Sequence, residues 1–157
     1  MELVLLSDDP GSNIISIFLY VLFIVFSAYF SGMEISLASV NRIHIMSLAS
    51  KGERSAKRVL DILDNFEEAL SVLLIGNNLV NIGCATLSVV IATKIFGGGS
   101  VGVATVATTV IIFIFGEMLP KCYARSCNEK FALKASGILV FLMKILKPLS
   151  KLFTSLS

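Results

Sequence analysis

Apolar positions gather into three long blocks, about 14–40, 69–96 and 101–119, separated by shorter polar stretches. Each block can supply the ~20 helical residues that cross ~30 Å of hydrocarbon. A fourth block, 131–149, is interrupted by Lys134, Lys144 and Lys147 and stopped by Pro148. That pattern reads as interfacial amphipathic helices with snorkelling lysines, a fourth crossing being the alternative. From Asn41 to Glu68 the chain is polar with mixed-sign charge and a breaker at Lys51-Gly52-Glu53-Arg54, yet Leu60, Ile62, Leu63 and Phe66 keep an apolar stripe. Short helices on the membrane surface are therefore expected over about 41–66 and again over about 125–155. Asp9-Pro10-Gly11-Ser12 punctuates a lead over 1–13, with Ser12 or Asn13 available as N-cap of the first span. The glycines between Phe96 and Gly102 predict a tight turn between the second and third spans. The predicted fold is an all-α integral membrane protein, with three transmembrane helices plus juxtamembrane amphipathic helices.

Composition agrees with this pattern. Of 157 residues, 55% are hydrophobic and 15% charged, and the mean hydropathy of +0.87 excludes an ordinary soluble domain. Charge asymmetry predicts orientation. Glu2, Asp8 and Asp9 precede the first span with no basic residue, Arg42, Lys51, Arg54, Lys57 and Arg58 follow it, Lys94 alone marks the next connection, and every other basic residue follows the third span. The positive-inside rule then places the N-terminus outside and the C-terminus in the cytoplasm of a multi-pass cell-membrane protein. The acidic start and the lack of a small-residue cleavage motif before residue 40 argue that the first span is retained. The formal charge of +2 is spread over membrane flanks, so the lipid bilayer, not nucleic acid, is the expected partner. Cys84 falls inside a span, and Cys122 and Cys127 fall on the predicted cytoplasmic side. They read as packing residues; Cys-x4-Cys is not a strong zinc spacing, and His44 is remote in sequence.

Polar residues inside the spans carry the chemistry. In Phe113–Lys121, Glu117 ends an apolar run, and Pro120, which has no N–H, leaves the Gly116 carbonyl without its helical partner. Ser27 and Ser31 stand i, i+4 on one face of the first span, as Asn77 and Asn81 do on the second. For a single membrane serine, bonding to its own helix is the simpler role, and Asn78, off the shared face, reads as interhelical hydrogen-bond glue. Together, hydroxyl, amide, carbonyl and carboxylate oxygens from three spans lie at one depth. Without sulfur or imidazole there, the set favours a hard cation such as Mg2+ or Ca2+. Glu34, nearer the headgroups, is the rival carboxylate. A hydrolase built on Glu117 has no support: there is no HExxH, no aspartate pair within the spans and no glycine-serine elbow. The protein is not expected to be an enzyme.

The stretches FSGMEISLASVNR, IGNNLVNI and FGEMLPK, in this order, resemble the signatures of the transmembrane domain of the CorC / cyclin M (CNNM) family of magnesium transporters. The resemblance implies a homodimer whose spans bind dehydrated Mg2+ as substrate ion through Ser27, Ser31, Asn77, Asn81, Gly116 and Glu117, and Mg2+ efflux with Na+ as coupling ion. Family members usually continue into cytosolic CBS modules, which are not expected in this sequence, ending at Ser157. A membrane anchor and dimerisation module, with the polar residues as helix glue, is the alternative function.

Overall fold

The structure, a computed structural model, describes residues 10–97, 99 and 101–154. The chain folds into α1 (Pro10–Ser39), α2 (Arg42–Ser50), α3 (Arg54–Asp64), α4 (Phe66–Phe96), α5 (Val101–Ile111), a π-helical segment (Ile112–Met118), α6 (Leu119–Ser126) and α7 (Asn128–Thr154). Among the described residues three stretches are long and apolar enough to cross a bilayer: Ile14–Ser39, Phe66–Phe96 and Val101–Ser126, the last uniting α5, the π segment and α6. This is an all-α membrane protein.

Side chains that meet lipid need no cover from the rest of the chain. Accordingly Phe18, Val21 and Val25 on α1, Leu79 and Ile82 on α4, and Val103, Val106 and Val110 on α5 are exposed. The buried core lies at one end of the bundle, where α2, α3 and α7 close over the ends of α1 and α4. Met33, Ile45, Val59, Ile62, Leu73 and Leu139 are among its fully buried apolar members. Local sequence chemistry sets this end. The Asn41 side chain caps α2 by accepting from the Ile43 and His44 N–H groups at 3.0 and 3.2 Å. Of the expected apolar stripe, Ile62 is buried and Leu60, Leu63 and Phe66 are partly buried against the core, and the buried face of α3 is completed by Ala56 and Val59. The start of α7 is tied to α1 and α2: Asn128 Nδ2 donates to the Ser39 carbonyl at 2.7 Å, and His44 Nδ1 lies 2.7 Å from Glu129 Oε2. Arg42 pairs with Asp64.

Several boundaries differ from the sequence reading, each for a proline-related reason. The first helix begins at Pro10, ahead of Ser12 and Asn13; proline suits a first helical position, where its missing N–H would have no partner. Residues 1–9 of the expected lead lie outside the described residues. The third span does not end at Leu119 but continues through Pro120 to Ser126. Likewise α7 runs past Pro148 to Thr154, and Lys144, whose carbonyl that proline leaves unpaired, is on the exposed side. At the connection between the spans, Gly97 has φ +82° and its N–H returns to the Thr93 carbonyl at 3.0 Å. Gly98 and Ser100 of that turn lie outside the described residues.

Candidate cation site

The three spans meet at Ser27, which is fully buried. Its Oγ lies 3.1 Å from Asn77 Oδ1, 2.8 Å from Asn81 Oδ1 and 3.5 Å from the Gly116 carbonyl oxygen. A hydroxyl has one proton, so it satisfies one of these three acceptors at a time. The Asn81 amide is turned by its other end, since Nδ2 reaches Glu117 Oε1 at 3.5 Å, and this aims Oδ1 at Ser27. Oxygen lone pairs therefore outnumber protons at the centre of the bundle. One turn along α1, Ser31 Oγ is buried and has no hydrogen-bond partner.

Local winding explains the approach. The Leu119 N–H donates to the Ile114 carbonyl, an i→i−5 bond that marks the widened π turn. Widening places Pro120 in the first turn of α6, where its missing N–H is tolerated. At Gly116 the third span comes close to α1: a Cβ there would stand 2.8 Å from Ser27 Oγ. Across the bundle the Phe30 ring lies over Gly76, one residue before Asn77, in the space a Cβ would take. Asn77, Asn81 and Glu117 are each half-buried. An open cavity of about 340 Å³ lies beside Glu117, lined also by Ile35, Phe113, Lys121 and Arg125.

The structure thus brings Ser27, Asn77, Asn81 and Gly116 together, with Glu117 on their edge and Ser31 one turn away. Asn78 is exposed on the outside of α4 and not between helices of this chain. Glu34 stands 3.6 Å from Lys121 Nζ, a pairing that the sequence reading missed. It also missed a second polar contact, toward the Gly97 end, where the Ser88 and Thr108 hydroxyls bond to each other and Ser88 Oγ lies 3.4 Å from the Ala104 carbonyl. Spaced serine and threonine were the available signals for that contact. Among the described residues no three His, Cys, Asp or Glu side chains converge. Any ion held here would rely on neutral oxygens and one carboxylate.

Three crossing helices around a buried polar centre define a multi-pass helical membrane domain. Residues 18–157 match the model of the cyclin M transmembrane N-terminal domain, and the chain belongs to that family. It is 37% identical over 131 residues to the UPF0053 inner membrane protein YfjD of Escherichia coli, covering 83% of this chain and 31% of that protein. It is 31% identical over 147 residues to the polyamine export protein of Haemophilus influenzae, covering 85% of this chain and 34% of that protein. Protein MAM3 of Saccharomyces cerevisiae is 28% identical over 106 residues, 64% of this chain and 14% of its own length. The chain spans about a third of the length of the two bacterial relatives.

Proposed function

We propose that this domain moves Mg2+ across the membrane, taking the ion without its water between the spans. The observation that carries the proposal is the meeting of three acceptor oxygens on the single Ser27 hydroxyl. A cation supplies the positive charge that such a cluster lacks. Ser27 Oγ is 2.8 and 3.1 Å from two amide oxygens, near the ~2.9 Å edge of an octahedron with ligand bonds of ~2.05 Å. Ser31, buried without a partner, adds a further oxygen, and Glu117 adds the formal charge that favours stripping water from the ion. Glu34 is less suited because Lys121 already faces it.

The full reading is a homodimer with its N-terminus outside, exporting Mg2+ in exchange for Na+. The basic flanks support the orientation. Asn78 supports the dimer, because an amide exposed among Leu79 and Ile82 on a spanning helix is costly against lipid and is relieved by a second copy. Direction and coupling ion rest on the resemblance. A second reading, export of an organic polycation, is supported by the similarity to the polyamine export protein of Haemophilus influenzae.

Flux into liposomes reconstituted with the full chain separates these readings. Glu117→Gln, nearly the same shape without the charge, should lose Mg2+ flux at matched incorporation, and Glu34→Gln should retain most of it. Full flux with glutamine at 117 would overturn the role of that carboxylate. Spermidine flux indifferent to Mg2+ would favour the polycation, and no cation flux by the unaltered chain would favour the anchor module.

A further inference from the structure

Beside Tyr29 in the second half of α1, a groove of about 400 Å³ runs between α6 and α7, lined also by Tyr123, Lys130, Phe131, Lys134 and Ile138. It shares none of its lining with the cation site. Lys130 and Lys134 are exposed, stand i, i+4 and both line this groove, and among the described residues no carboxylate lines it. Beyond them the wall turns apolar. Ile138 is 52% exposed, and Phe141 at 63% and Ile145 at 54% continue the row along one face of α7. The aromatic walls are fixed in place. The Phe131 ring covers Gly32, Tyr123 meets Phe131 edge-on with centroids 6.5 Å apart, and Tyr29 Oη donates to the Ala135 carbonyl at 3.0 Å.

A preformed groove with two cations at one end and an uncovered apolar row at the other has the polarity of one phospholipid. We propose that it binds an anionic phospholipid, the phosphate between Lys130 and Lys134 and an acyl chain along Ile138 and Phe141. The bilayer leaflet level with α7 supplies the ligand. Basic flanks predict that leaflet to be the cytoplasmic one, where anionic lipids gather. Zwitterionic lipids are disfavoured because their own ammonium competes with the lysines for the phosphate.

The test is melting of the full chain in neutral detergent with added phosphatidylglycerol, phosphatidylcholine or soluble glycerol phosphate, together with native mass spectrometry of retained lipid. Phosphatidylglycerol alone should raise the melting temperature and remain bound. Neutralising both lysines (K130Q with K134Q) should weaken it roughly 30-fold, at ~5-fold per lysine. Lys144→Gln, an exposed lysine of α7 outside the groove, should not. Equal retention of phosphatidylcholine would overturn the proposal, as would an equal loss in Lys144→Gln, which would mean diffuse charge. An equal response to glycerol phosphate would make this a free-phosphate site. A lipid-independent doubling of mass that vanishes in the double variant would give the face to a second copy. None of these readouts uses Mg2+, so they stand apart from the transport reading.

Discussion

Ser27 and Ser31 are two hydroxyls on one helix face with opposite problems. Ser27 has more acceptors around it than it has protons, and Ser31 is buried with none. An orphaned buried hydroxyl costs about 1–3 kcal/mol, which the apo protein regains if it is removed. Ser31→Ala should therefore melt at a higher temperature than the parent without Mg2+, and gain little when Mg2+ is added. A parental Mg2+ shift in that variant would remove Ser31 from the site. Both serine and asparagine pairs were legible in the sequence because i, i+4 spacing fixes a shared helix face whatever the tertiary fold. The Glu34–Lys121 pair was not, since it joins separate helices whose relative rotation no local pattern sets. For Asn78 too the face was clear, but what that face meets was not.

Among the elements, the π segment departs most from expectation. The sequence offers only glycine and proline as a hint of irregularity, and these predicted a carbonyl freed at a helix end. Helical winding instead continues, and one wide turn accommodates Pro120 while setting the Gly116 carbonyl toward Ser27. The i→i−5 register has no residue signature of its own, so its place had to come from packing. Pro120→Ala restores an N–H able to compete for the Gly116 carbonyl. Because Pro120 already sits in a tolerant first turn, the apo melting temperature should rise only slightly, while the shift produced by Mg2+ shrinks. Equal or tighter Mg2+ affinity in that variant, from titrated melts, would refute the link between winding and binding. The three spans themselves were legible, since length and hydropathy suffice for them. The start of α1 and the passage of α7 through Pro148 were not, because a proline can open or bend a helix as readily as end it.

At the scale of the molecule, packing is lopsided. The core joins α2, α3 and α7 to the ends of α1 and α4, and the third span has 11% of its most apolar window buried against 22% for each of the others. Toward the Gly97 end, a side-chain contact between that span and α4 is the Ser88–Thr108 pair. Thr108→Val keeps the shape, removes the hydroxyl and leaves Ser88 with the more distant Ala104 carbonyl. Amides of 101–111 should then exchange faster with deuterium while those of α1 keep their protection; unchanged exchange would show that the pair does not hold the span. The mechanical consequence concerns where movement is cheapest. A rod clamped at its Leu119–Ser126 end, where Lys121 faces Glu34, Tyr123 meets Phe131 and Ala124 is fully buried, and greased by lipid along Val103, Val106 and Val110, pivots about that clamp, and its Gly97-side end sweeps the widest arc. Glu117 stands next to the clamp, so a tilt wide enough to part Ser88 from Thr108 would move the carboxylate little and leave the core that holds the other two spans undisturbed.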